Sequence, residues 1–222
     1  MDYLSGKTEQ AGLLPMSASG LIRLGGMSAV VGGALLAMSD LWAIINALGD
    51  GTQPVSEAAT TAPYAYINGM ALLGVVLMLF GLVGLHLRQV GTTGVLGLVG
   101  FSTAFVGTAL MVGFSWYSFF VVPSAAVEAP EFVDAVQVAG PLIAGAILSF
   151  VVLVVGWALF GVGALVARSY PRWVAIVVIV VALLQFIPVN GPALRFGVAV
   201  ALLGFFALTG AGRTVERPSH MS

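Results

Sequence analysis

The chain has 222 residues, of which 59% are hydrophobic and only 8% are charged, and its formal net charge is −1. A soluble globular domain carries about 25% charged residues, so eight basic and nine acidic side chains could not cover a soluble fold of this length. This excludes an ordinary cytoplasmic enzyme, a nucleic-acid-binding protein and a disordered chain. The remaining class is a membrane protein that crosses the bilayer several times.

Long uncharged stretches predict the membrane spans. A helix needs about 20 apolar residues to cross a hydrocarbon core of about 30 Å. Turn residues trim the uncharged stretches to six helices, at 21–48, 64–87, 94–121, 137–167, 172–187 and 192–211. We therefore predict an all-α fold in which a six-helix transmembrane domain fills 21–211, between an N-terminal segment 1–20 and a tail 212–222.

The first and fifth spans need separate arguments. The first is longer than the core of a signal peptide, about 7–15 residues, so we expect it to be retained as an anchor. The fifth is bounded by Pro171 and by the breaker cluster 188–192. The interval holds about 16 helical residues, or roughly 24 Å, and local thinning of the bilayer would accommodate so short a span.

The distribution of basic residues predicts the orientation. If the N-terminus lies inside the cell, the inner segments hold seven of the eight basic residues: Lys7, Arg23, Arg88, Arg168, Arg172, Arg213 and Arg217. The outer segments then hold Arg195 and the acidic residues Asp50, Glu57, Glu128, Glu131 and Asp134. Because basic residues concentrate in short cytoplasmic loops, we expect both termini in the cytoplasm and the protein in the inner (cytoplasmic) membrane.

The spans contain a weak internal similarity. Residues 80–88 and 160–168 both begin with Phe-Gly and end with Arg, and a Gly-x-x-Leu segment at Gly33 is similar to one at Gly107. Three repeated helical hairpins would explain these matches. The alternative is that an aromatic residue, small residues and a terminal arginine are common to many cytoplasmic helix ends.

The fourth inner loop carries a family resemblance. Residues 159–173 read Leu-Phe-Gly-Val-Gly-Ala-Leu-Val-Ala-Arg-Ser-Tyr-Pro-Arg-Trp and precede a span rich in Ala, Ile and Val. This segment resembles one in uncharacterised six-span bacterial integral membrane proteins, which share a Gly-rich helix end, an arginine, a short turn and a Pro-Arg-aromatic start of the next helix. The resemblance implies a six-span topology and transfers no reaction.

Asp40 is the first candidate site residue. It lies in span one, about nine residues or roughly 14 Å below the outer end, which predicts a position near the middle of the bilayer. A charge at that depth costs about 2.5–3.5 kcal/mol on insertion scales. Ala29, Gly33 and Ala37 recur every four residues and Asp40 follows on the same stripe, so we expect it to face another helix. It would be an ion or proton site, a paired structural charge or a neutral carboxylic acid.

Three more polar residues complete the candidate intramembrane site. Arg195 lies three residues into span six and would pair with Asp40, or else extend outward to lipid phosphates, Asp50 or Asp134. Gln185 and Asn68 would line an outward-facing polar pocket with these two charges. The alternative for the amides is hydrogen bonding between helices, worth about 0.6 kcal/mol on average.

Other polar residues predict no bound group. Glu128, Glu131 and Asp134 precede span four and form either a cation-binding trio or a solvated acidic cap on a helix N-terminus. His86 has no second histidine at ligand spacing, and no phosphate loop, dinucleotide motif or zinc motif occurs. The sequence thus predicts no catalytic residue, metal or cofactor.

The leading hypothesis is a non-enzymatic, compact helical module. It would bind a membrane partner or a lipid-like molecule, as a subunit of a larger membrane assembly or as a homo-oligomer, and no nucleic acid. Its 29 glycines favour close helix packing over a wide aqueous lumen. The alternatives are a small secondary transporter or ion-conducting protein that uses Asp40, and a membrane-embedded lipid enzyme.

Overall fold

The computed structural model describes residues 18–50, 53–136, 140–187 and 192–211, and every element within these ranges is helical. Four of the helices are long and apolar enough to cross a membrane, as expected of a helical membrane protein: Ala18–Asn46, Ala62–Leu87, Gly94–Glu128 and Pro141–Ala167. The predicted all-α class is therefore confirmed, and the coarse prediction of a membrane protein is supported.

Nine α-helices and one π-helical turn make up the described chain. They are α1 Ala18–Asp50, α2 Val55–Ala59, α3 Ala62–Leu87, α4 Gly94–Trp116, the π turn Tyr117–Val121, α5 Val122–Glu128, α6 Pro130–Val136, α7 Pro141–Ala167, α8 Arg172–Leu184 and α9 Pro192–Ala211. Each predicted span corresponds to one long helix or to one of the two shorter helices, α8 and α9. Residues 1–17 and 212–222 lie outside the described ranges.

The largest departures from the predicted spans occur around spans three to five. Helix α4 continues through the π turn and α5 to Glu128, beyond the predicted end at 121. The π turn has a local cause, since Pro123 has no N–H and its ring would clash with the carbonyl group four residues earlier. Helix α7 begins at Pro141 rather than at 137, and α8 ends at Leu184 with only 13 residues.

Helix α1 packs between α3 and α9 through two rows of glycines. A methyl group added at Gly32 would lie 2.7 Å from the carbonyl oxygen of Gly74 in α3. On the other row, a methyl group at Gly33 would collide with the carbonyl oxygen of Gly197 in α9. Because glycine has no side chain, the backbones of these helices approach closely, as small residues allow in membrane bundles.

The second close pair joins α4 to α7. A side chain on Gly107 would collide with the Leu153 backbone, and one on Gly156 would collide with the backbone of Ala104. Helix α8 then packs on α7 and α9. The core between these helices contains Trp157 and Phe160, both fully buried.

Short helices α2, α5 and α6 pack on one another where α1 ends and α3 begins. We call these three helices the cap and this end of the bundle the cap end; the opposite end, where α3 and α7 finish, is the arginine end. The cap has a small core of its own, formed by Ala59, Val122, Ala126 and Val133. The sequence predicted outer loops here, with only Pro130 suited to begin a helix, because the segments are short and polar residues interrupt them.

Asp134 holds the cap together. Its carboxylate accepts hydrogen bonds from the backbone N–H of Ser56 at 2.9 Å and from the Ser56 hydroxyl at 2.7 Å. Ser56 is the second residue of α2, so Asp134 lies at the N-terminus of α2, while Glu131 lies in the first turn of α6, the helix that begins at Pro130. These hydrogen bonds lower the pKa of Asp134, because they favour its charged form.

Residues aligned by the proposed repeat lie in different surroundings. Phe80 is 63% exposed, whereas Phe160 is fully buried. Gly33 faces Gly197 of α9, whereas Gly107 faces Leu153 of α7. The three-hairpin repeat therefore stays a prediction.

Candidate functional site

Asp40 lies at the first turn of α9. Its Oδ2 atom accepts a hydrogen bond of 2.9 Å from the backbone N–H of Leu194, the third residue of that helix. The first N–H groups of a helix have no partner inside the helix, and a negative charge near them interacts favourably with the helix dipole. Asp40 therefore caps α9 from a different helix, and the small-residue stripe that continues into Asp40 faces α9, as the sequence indicated for a helix contact.

Arg88 occupies the opposite end of α9. Its Nη1 atom donates hydrogen bonds to the carbonyl oxygens of Phe206 at 2.6 Å and Ala207 at 3.0 Å. The guanidinium also lies 4.9 Å from the ring centroid of Tyr170, whose hydroxyl donates a hydrogen bond to the carbonyl oxygen of Leu85. The sequence indicated Arg88 only as an inner-loop residue and as the end of a repeated segment, since nothing local shows that an arginine at the end of α3 reaches the last turns of α9.

Helix α9 thus carries an acidic side chain at its N-terminus and a basic one near its C-terminus, each supplied by another helix. Both charges match the helix dipole. Arg195 follows Leu194 in α9 and is half-buried. Since the hydrogen bond recorded for Asp40 goes to the Leu194 amide, an ion pair between Asp40 and Arg195 stays a prediction.

Gln185 lines a cavity of about 280 Å³ in the middle of the bundle, which we call the central cavity. The lining residues come from α1, α3, α4, α7, the turn after α8, and α9, and they are Leu36, Val75, Met78, Met111, Phe150, Leu153, Gln185, Ala193 and Phe196. Gln185, 8% exposed, is the polar member of this set. The structure therefore places Gln185 at an apolar cavity, and the outward-facing polar pocket stays a prediction.

The hydrogen bond donated by Asn68 lies within α3 and involves neither Asp40 nor Gln185. Its Nδ2 atom donates a 3.0 Å hydrogen bond to the carbonyl oxygen of Tyr64, four residues earlier in the same helix. Asn46 likewise donates to the carbonyl oxygen of Trp42. Both hydrogen bonds lie within a helix, so the hydrogen bond of Asn68 is not the bond between helices that the alternative interpretation proposed.

A second polar cluster lies at the arginine end and was not predicted. Gln89, which follows α3, is fully buried, and neither its Oε1 nor its Nε2 atom has a hydrogen-bond partner. Its Oε1 lies close to Gly163 of α7, and its backbone carbonyl accepts a hydrogen bond from Thr93. A buried amide without partners costs about 1–3 kcal/mol, so this side chain lowers the stability of the folded protein at the arginine end.

Comparison with known protein families, with curated proteins and with solved structures finds no match to this chain. The resemblance to six-span bacterial membrane proteins therefore stays a prediction.

Proposed function

We propose that this chain is a six-span protein of the bacterial cytoplasmic membrane, with both termini in the cytoplasm and the cap outside. Helix α9 supports the placement: its 20 residues correspond to about 30 Å, the thickness of the hydrocarbon core. Asp40 contacts one end of α9 and Arg88 the other, so each charge would lie near a boundary of the hydrocarbon core. This argues against the predicted position of Asp40 at mid-bilayer.

Within that placement, the protein is a compact, non-enzymatic module that binds the apolar chain of a lipid-like molecule in the central cavity. The observation that carries this proposal is the cavity itself, about 280 Å³ in volume and apolar except for Gln185. Ligand pockets in proteins measure about 300–1,000 Å³, so this cavity lies at the lower limit and would hold part of one apolar chain. An apolar cavity of this kind excludes water and accepts apolar ligands.

The position of Asp40 favours this module over a transporter. A coupling site needs a carboxylate that can exchange its ion or proton, but this carboxylate accepts a hydrogen bond from a backbone amide of α9. The contact supports a structural role, in which Asp40 sets the register of α1 against α9.

Native mass spectrometry of the protein extracted in a mild detergent tests the proposal. We expect the wild-type protein to retain a lipid, and the cavity-filling variant Ala193→Leu to lose it. Ala109→Leu is the control, because Ala109 is exposed on α4 and takes no part in the cavity. Retention of a protein instead of a lipid would make the chain an assembly subunit, and equal lipid retention by Ala193→Leu would rule out the central cavity.

A further inference from the structure

The contact between α4 and α7 is closed at one end and open at the other. Towards the arginine end, glycines at 100, 107 and 156 leave no room for even a methyl group. Towards the cap end, a methyl group added at Gly113 or Gly145 would meet no atom within 4 Å. The two helices therefore separate as they approach the cap.

The separation creates a groove of about 300 Å³ on the surface of the bundle, which we call the lateral groove. It is lined by Leu110, Gly113, Phe114, Tyr117, Pro141, Leu142, Gly145, Ala146 and Ser149. Leu110 and both glycines are exposed, and they belong to two of the helices that are long enough to span a membrane. Because a bilayer core offers no water to fill an apolar groove, a lipid chain is the occupant that its surroundings supply.

The lateral groove and the central cavity are lined by consecutive residues of α4 and α7. Leu110 lines the groove and the next residue, Met111, lines the cavity; Ser149 and Phe150 repeat this arrangement on α7. Met111 and Phe150 are both partly buried. Methionine is unbranched and adapts its shape readily, so a change in the Met111 side chain alone could connect the two spaces.

We propose that the ligand is a two-chain lipid from the leaflet on the cap side, with one chain in the lateral groove and the other in the central cavity, which it enters between Met111 and Phe150. This inference rests on the proposed function, since it names the class of lipid and its route to the same cavity. The π turn supports it, because the widened turn begins at Tyr117 on the rim of the groove, and such turns occur frequently at functional sites.

Trp157 provides a reporter for the test. It is fully buried, and its ring lies 5.3 Å from that of Phe196, which lines the central cavity. The other three tryptophans, Trp42, Trp116 and Trp173, are about half exposed. Replacing these three by phenylalanine leaves a protein whose only fluorescent tryptophan is next to the cavity.

This single-tryptophan protein is reconstituted into phosphatidylcholine vesicles whose acyl chains carry bromine, which quenches tryptophan at short range. We expect Trp157 to be quenched, and Ala193→Leu to remove that quenching by filling the cavity. Gly113→Leu and Gly145→Leu, placed on the two walls of the groove, should each remove most of it, whereas Ala109→Leu should leave it unchanged. Both glycine positions have open space, so the melting temperature should confirm that the variants fold.

The outcomes separate the two proposals. If Ala193→Leu abolishes quenching while both glycine variants keep it, a chain occupies the cavity but enters by another route, and the lateral groove is refuted. If the parent protein shows no quenching beyond that of Ala193→Leu, no bilayer chain reaches the cavity, and the proposed function fails with the inference.

Discussion

Glycine serves opposite purposes in two regions of this molecule. Between α1 and α9, Gly33 and Gly197 bring two backbones into contact, and a side chain on either would collide with the other helix. Between the cap-end halves of α4 and α7, Gly113 and Gly145 face open space. A glycine count thus indicates close packing only where a second helix is present, and elsewhere the same residue leaves a groove.

Gly33→Ala changes the close contact between α1 and α9 and should have the largest effect on stability. The added methyl group collides with the Gly197 carbonyl, so α1 and α9 must move apart. Overpacking of this kind costs about 1–3 kcal/mol, and separation of α1 from α9 would also disturb the contact of Asp40 with Leu194. Thermal unfolding in detergent should show a clear fall in melting temperature. An unchanged melting temperature would mean that this contact is looser than the structure shows.

Asp40→Ala tests the charge that caps α9 in the same region. Loss of a capping side chain costs about 0.5–2 kcal/mol, because the Leu194 amide loses its acceptor. Asp40→Asn is the matched control, since its amide oxygen can still accept the hydrogen bond and should retain most of the stability. If instead Asp40→Asn kept the melting temperature but abolished ion flux into proteoliposomes, the transporter hypothesis would replace the structural role.

The sequence predicted these helices better than it predicted their partners. The bounds of α9 were right because the breaker cluster before Pro192 and the polar tail are local signals. The small-residue stripe through Gly33 correctly showed that Asp40 faces a helix. It could not identify that helix as α9, because a stripe records the shape of one surface and not the identity of the other.

The sequence could not predict the central cavity or the lateral groove, for the same reason. Both arise from the distance between helices that are far apart in the sequence, and residues such as Met111 and Phe150 look like ordinary apolar span residues. Gln89 was missed because it follows α3 at the end of a span, where a polar residue is expected to be solvated. The side chain is completely buried beside Gly163 of α7, a contact with a distant part of the chain that local sequence signals do not show.

Gln89→Leu tests the buried amide at the arginine end, beside Gly163 of α7. Since the buried amide has no hydrogen-bond partner, an apolar side chain of similar size should stabilise the protein by about 1 kcal/mol. The melting temperature should rise, and Gln89→Glu, which buries an ionisable group instead, should lower it. A fall with Gln89→Leu would show that the amide makes a favourable contact, for example with a bound water molecule.

Gly113→Ala changes the open region between α4 and α7. Its effect on the melting temperature should have the opposite sign from that of Gly33→Ala. The methyl group meets no atom within 4 Å, and alanine is preferred over glycine in a helix by up to about 1 kcal/mol. We expect a small rise in melting temperature. A fall as large as that of Gly33→Ala would mean that α4 and α7 close together at this level, and that the lateral groove does not exist in the membrane.

Asp134 extends the comparison to the cap, where a second aspartate contacts the N-terminus of another helix, as Asp40 does in the bundle. The hydrogen bonds from Ser56 lower the pKa of Asp134 in the folded protein. The folded state therefore favours the carboxylate. Its stabilising effect is complete above the ordinary aspartate pKa of about 3.9 and is lost as the pH falls through the lowered folded value.

The difference in melting temperature between wild type and Asp134→Ala should be constant near neutral pH and shrink only below about pH 4. The effect should be the smallest of the set, because the cap has a core of only four buried hydrophobic residues, whereas Asp40 contacts a helix of the main bundle. A difference that is already lost at pH 6 would show that the Ser56 hydrogen bonds do not hold the charged form, and that the cap and the bundle are not stabilised by the same device.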